Sequence, residues 1–293
     1  MGAYTGSELL RERLRAHGRS LSRVERTIAE YLADVELDEL PFLRANQIAA
    51  ATGTSDASVT RAARSLGFTG LPELKRIASR PRRIETSRSE RLDTQVNVVG
   101  DEAGAIAEAF HDAMRDLLED NAQLVEADQL ERAAAVIRDA GTVWAVGVGT
   151  SGAAALHLAD QLARAGHPSR WTRAAGFDLA AELLSIRPGD ALVVFHAARP
   201  MPELTTLLDW AQRADVPVVL VCGTQLAAQH GSRVSAVLPC VGTASELARW
   251  TIAAVQLAEL LTAVVAASDP ARSAAAHQRL DELRHVLTSS EES

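Results

Sequence analysis

The chain has 293 residues, 47% of them apolar but only 4% aromatic, and a formal net charge of −8. That length holds two domains and a sizeable core. Cys222 and Cys240 have neither metal-ligand nor disulfide-framework spacing, no run approaches the roughly 18 apolar residues of a membrane span, and MGAYTGSELLRERLRAHG lacks a signal-peptide core, so a cytoplasmic protein without metal or cofactor is expected.

The charge is uneven. Residues 1–91 balance at +4 and the remainder at −12, which fits DNA binding by the first part alone. Ser7–His17 reads as a short charged helix stopped by Gly18. The next helix opens with Ser22-Arg23-Val24-Glu25, a capping-box spacing, and Leu21, Val24, Ile28 and Leu32 give it an apolar face. An acidic connection, 33–41, leads to Asn46–Phe68, which reads as helix, tight turn, helix. Gly53 supplies the turn, Ser55 the N-cap and Asp56 a carboxylate at the positive helix end. Val59, Ala62, Ala63 and Leu66 make one apolar stripe, leaving Ser58, Thr60, Arg61, Arg64 and Ser65 on the other face. Hydroxyls and guanidinium forks in that arrangement reach phosphates and base edges in a major groove. Pro72 suits the first turn of a last helix, Glu73–Ser79.

The string from Leu21 to Lys75 carries a resemblance. Leu21, Ser22, Glu25, Ile28 and Ala29, then Ala49, Ser55, Val59, Arg61, Leu66, Gly67, Phe68, Gly70, Glu73, Leu74 and Lys75, are similar to the N-terminal helix-turn-helix domain of RpiR-type bacterial transcription regulators. The resemblance implies DNA contacts from Ser55, Ser58, Thr60, Arg61, Arg64 and Lys75. It also implies a homo-oligomer, dimer or tetramer, on a palindromic double-stranded operator.

Residues 80–100 read as a polar linker whose Arg80, Arg82 and Arg83 are either solvated or on DNA backbone. Residues 101–293 are expected to form the second domain. Helices come first, over Glu102–Asp120 and Asp128–Asp139, with Ile106, Phe110, Ala113, Leu117 and Leu124 along one stripe. Then β and α alternate: strands at Thr142–Val148, Ser169–Arg173, Ala191–Phe195, Val216–Val221 and Ala236–Cys240, and helices at Ser151–Ala165, Phe177–Ile186, Met201–Ala214 and Ser245–Ala267. The fold expected is therefore an all-α head followed by a five-stranded, parallel, doubly wound, flavodoxin-like α/β domain. Ligands of such sheets sit beyond the carboxyl ends of the strands.

The first strand ends in Gly147-Val148-Gly149-Thr150-Ser151-Gly152, where glycines admit a ligand to the backbone and the next helix offers free N–H groups. A dinucleotide fold is the rival, but no acidic residue closes a second strand in the right place. GVGTSG and LLSIRPGDALVVFH resemble a SIS (sugar isomerase) domain, the usual partner of such heads, which implies a phosphorylated sugar or similar metabolite as effector. The chain departs from that pattern after the third strand. His196-Ala197-Ala198-Arg199-Pro200-Met201 stands where sugar-phosphate-binding members carry a hydroxyl-rich SxSGxT loop. Gly147, Gly149, Thr150, Ser151, His196, Arg199 and Glu246 are the ligand-binding candidates. Two other functions stay open: a sugar-phosphate isomerase with Glu246 or His196 as base, and a DNA-binding protein whose SIS domain is a ligand-free scaffold.

Overall fold

The computed structural model describes residues 6–18, 20–35, 39–77, 96–197, 202–243, 245, 247 and 249–289. The chain divides into two compact units, one of residues 1–120 with 242–249, the other of 121–241 with 250–293.

The first unit is helical: α1 (Gly6–His17), α2 (Arg23–Asp34), α3 (Ala45–Thr52), α4 (Asp56–Ser65), α5 (71–77) and, up to Asp120, α6 (Ala103–Ala122). Ser22 accepts the Glu25 N–H while the Glu25 carboxylate accepts the Ser22 N–H, so the capping box forms. Gly53 ends α3 at φ +65°, the left-handed conformation the turn needs. Ile28, Leu32, Ile48, Val59, Ala62, Ala63 and Leu74 are the buried centre. Val24 lies outside it, 44% exposed, because it sits in the first turn of α2.

Helix α6 was expected in the second domain, on an apolar stripe. Its residues up to Asp120 group with the first unit instead, and Ile106 and Phe110 are exposed. The reason is a ladder of carboxylates at every fourth position. Glu108 and Asp112 pair with Arg44 at 2.9 and 3.4 Å, Asp116 with Lys75 at 3.6 Å, and Asp120 with Arg76 at 3.8 Å. Ala109, Ala113 and Leu117 fill the space beside it.

The second unit is a five-stranded parallel sheet of order β2-β1-β3-β4-β5: β1 (Val143–Gly147), β2 (Ser169–Thr172), β3 (Ala191–His196), β4 (Val218–Cys222) and β5 (Ala236–Pro239). Three helices cover one face: α7 (Ala127–Asp139), α8 (Gly152–Arg164) and α12 (Trp250–Ser268). The other face is covered by α9 (Gly176–Leu183), α10 (Pro202–Arg213) and α11 (Thr224–His230). Strand alternation sends Trp144, Val146, Leu192, Val194, Val218 and Leu220 to that second face, where Leu179, Leu204, Leu208 and Leu226 meet them. Asp190 pins two strand starts together, accepting the N–H groups of Thr142 and Arg187 at 2.9 Å each.

Helices that the sequence reading missed include α11 and the closing α13 (Pro270–Ser289). By length and composition α12 is apolar enough to cross a membrane, against the expectation that no segment approaches this. It packs as a core helix, burying Ala253, Ala254, Leu257, Leu261 and Val265 against its own unit.

Candidate functional site

The candidate recognition helix is α4. Ser55 caps it, its Oγ accepting the Ser58 N–H, and Asp56 occupies the first turn. Val59, Ala62 and Ala63 are fully buried on α2 and α3. The opposite face leaves Ala57, Arg61 and Arg64 exposed and Thr60 half-buried, an i, i+3, i+4, i+7 stripe. Ser58 is buried at 8% exposure, its hydroxyl receiving the Arg61 guanidinium at 2.8 Å. It therefore orients Arg61. Arg64 donates from Nε to the Thr69 carbonyl at 3.1 Å. Ser65 donates to Glu25 at 2.8 Å, so the cap of α2 also clamps α4. Those bonds hold the Glu25 carboxyl below its usual value, the Ser22 hydroxyl contributing most.

Lys75 is not on this surface. It is 7% exposed and held by Asp116 on α6. Burial lowers its pKa against the opposing pull of Asp116, Asp112 and Asp120. A lysine so enclosed is spent on α6 and has no reach to a phosphate. Arg80, Arg82 and Arg83 lie outside the described residues.

In the second unit the strand order reverses between β1 and β3, and two candidate loops meet there. Gly147 pairs with Phe195, so His196 stands level with the start of the β1–α8 turn. A Cβ on Gly147 would lie 2.5 Å from the Ser151 carbonyl oxygen, and Gly149 has φ +63°. The turn accordingly requires glycine at both places. Thr150 is exposed and Ser151 is buried at the first turn of α8, capping nothing. The six residues have the full G-x-G-x-x-G spacing, yet β2 ends at Thr172, followed by Arg173, rather than at a ribose-binding acid. Arg199 and Glu246 lie outside the described residues.

His196 is 8% exposed and lines a small cavity with Val146, Val148, Glu203 and Leu204. Its neighbour His230, on helix α11, was not among the residues singled out from the sequence. Burial, then Arg233 and His196, hold its imidazole below the usual pKa, and its Nδ1 is buried without a hydrogen-bond partner. Next to the small cavity an open groove of about 810 Å³ runs between α9 and α10.

A buried helical core presenting an exposed basic helix face has the form of a helix-turn-helix domain, and the second unit is a doubly wound α/β sheet with its switch point between β1 and β3. In comparison with known proteins, a model of the rpiR-family helix-turn-helix domain matches residues 8–79. The uncharacterized HTH-type transcriptional regulator YfhH of Escherichia coli is 27% identical over 225 residues, 73% of this chain and 75% of that protein. Among solved structures, the NanR protein of Vibrio vulnificus, complexed with ManNAc-6P, is similar over 95% of this chain and 98% of that one, with 23% identity and a TM-score of 0.54. The sugar isomerase domain of an RpiR transcription factor from Sphaerobacter thermophilus covers 60% of this chain and 97% of its own, with 21% identity and a TM-score of 0.51.

Proposed function

We propose that this regulator reads a double-stranded operator with α4 and tunes that binding through a small anionic metabolite held at the β1–β3 switch point. The stripe of half-buried Thr60 and exposed Arg61 and Arg64 on a well-packed helix carries the first half of the reading. Arg61, braced by Ser58, suits a guanine edge, and Arg64 and the Ser55 cap suit phosphate. A homodimer would set two such helices about 34 Å apart on a palindromic site. Lys75 takes no part. The glycine turn with Thr150, Ser151 and His196 carries the second half, since the amino end of α8 and an imidazole favour an anion. Arg199 and Glu246 are candidates to complete it. An effector acts by binding one arrangement of the DNA heads better than another. The loss of the hydroxyl loop favours sensing over isomerisation, because an isomerase must hold the substrate carbons against a placed base. Such a protein works in the cytoplasm, where the chromosome is.

Operator sequences selected from random duplexes provide the test. Arg61→Ala is expected to weaken binding about tenfold or more without a change in melting temperature. Unchanged affinity in both Arg61→Ala and Arg64→Ala overturns the recognition-helix assignment. Ser151→Ala is expected to keep operator binding and lose the effector response.

A further inference from the structure

Two apolar helix surfaces of the second unit lie open. The first is on α9. Leu179 and Leu183 turn inward to the sheet layer, yet Phe177, Ala180, Ala181 and Leu184 fall at i, i+3, i+4 and i+7 and are all exposed, Phe177 by 95% and Leu184 by 87%. Beside this band runs the groove against α10, which Leu184 and Trp210 line. Acids flank the band on both sides, Asp178 and Glu182 on the outer flank of α9 and Glu203 across the groove on α10. Arg213, at the far end of α10, donates to the Asp209 carbonyl.

The second surface is on α13. That helix is rooted on the other face of the sheet, where Arg272 donates to His167 Nδ1 at 3.0 Å, Ser273 donates to the Ala165 carbonyl, and Gly166 admits Arg272 and Ala276 where a Cβ would clash. Ser273, Ala276, Leu280, Leu283 and Leu287 follow at spacings of 3 and 4 in turn, one continuous seam. Only the root of the seam is covered. Leu280 is half-buried, every residue from 281 to 288 is exposed, and Leu283, Val286 and Leu287 are 59%, 66% and 70% exposed. Among the described residues, the face that docks the root therefore runs on uncovered for about 14 Å. The flanks of the seam are basic, Arg279 on one side and His277 and Arg284 on the other. Asp281 and Glu282 lie behind it, and Asp281 meets Arg284 only in a solvated pair at 3.3 Å.

We propose that these two surfaces cover each other between two copies of the chain. The outer half of α13 from one copy lies along the α9 band of the second, and the second copy returns the contact. Apolar seam meets apolar band, and basic flanks meet acidic flanks. The chain's own α13 does not reach the band, because the sheet stands between its root and α9. Nor is α13 suited to pair with itself. In a parallel pair Arg279 falls opposite Arg284, and in an antiparallel pair His277 does. A reciprocal contact closes a two-fold dimer rather than an open chain of subunits. This rests on the homodimer of the proposed function and names the surfaces that make it; the operator and effector assignments are not needed.

Sedimentation of the full chain, without DNA or ligand, provides the test. The unaltered protein is expected to associate at micromolar concentration. Leu283→Asp and Leu184→Asp, both at exposed positions, are each expected to weaken that association about a hundredfold or more, with an unchanged circular dichroism spectrum. Mixing the two variants is expected to restore association at intermediate affinity. The mixed pair keeps one whole contact, the intact α13 of Leu184→Asp on the intact α9 of Leu283→Asp. Glu182→Arg and Arg284→Glu are each expected to lose a few-fold alone and to regain it together. An unaltered protein that stays monomeric overturns the proposal, as do variants that associate as it does. A mixture that stays monomeric overturns it too, since α13 then pairs with a surface other than α9. If only one of the two Asp variants dissociates, its surface belongs to a different contact and the proposal falls. None of these failures touches the operator test of Arg61→Ala.

Discussion

The two units are held together by different physics. The head closes on α6 through a seam of charges, Arg44, Lys75 and Arg76 against a four-rung carboxylate ladder. The sheet unit closes through dry apolar layers, with Leu192, Val193, Leu220 and Val219 fully buried between helices on both faces. A charged seam is directional and responds to pH and salt, whereas an apolar layer is neither. The environmentally sensitive packing thus lies in the helical unit and the insensitive packing in the sheet unit.

The sharpest separation comes from truncating each core in turn. Leu220→Ala in the sheet is expected to cost about 2–5 kcal/mol, with a melting shift that is the same at pH 5 and pH 7.5. Lys75→Met is expected to cost the head about 2–3 kcal/mol, less than a fully buried pair because Asp116 keeps one-third of its side chain exposed. Adding Asp116→Leu is expected to restore most of that loss; if it restores none, the seam is not held by this pair. Ser22→Ala is expected to cost about 1 kcal/mol through the lost cap. In the same box Glu25 has a lowered pKa, so its contribution is complete above the unfolded value and fades as pH falls through the folded one. Urea unfolding between pH 6 and 3 is expected to show that loss in the native protein and not in Glu25→Gln.

The most discriminating effect lies at Asp120, whose carboxyl burial raises to about 6 despite Arg76. A raised carboxyl pKa means the folded head binds the proton more tightly than the unfolded chain does. Stability from this group therefore rises as pH falls through about 6 toward the unfolded value, opposite in sign to Glu25. Hydrogen exchange of α5 and α6 is expected to slow between pH 7.5 and 5 after correction for intrinsic rates, and Asp120→Asn is expected to remove the trend.

What could be read beforehand divides along the same line. Apolar periodicity and glycine placement were legible: the capping box, the left-handed Gly53, the strand alternation and the β1 turn all stand where the pattern put them. Partners of charged groups were not, because a guanidinium or ammonium looks the same in sequence whether it meets a phosphate or an aspartate. Lys75 is the case in point, and α6 was assigned to the wrong unit for the same reason: its rungs only make sense opposite Arg44 and Lys75. His230 escaped because its short helix has too few residues for a period to show.

Lys75 is the one lysine in these 293 residues, and its side chain is 9% exposed. Trypsin therefore meets arginines almost everywhere, and amine-directed acylating reagents find no open side chain along this stretch while the seam is shut. Acetylation by a cellular transferase faces the same barrier. The rate at which Lys75 takes up an acyl label becomes a built-in clock for transient parting of α5 from α6, readable by mass spectrometry at a single peptide. Operator DNA, effector and salt can each be ranked by how far they slow or speed that clock, with no dye or engineered cysteine.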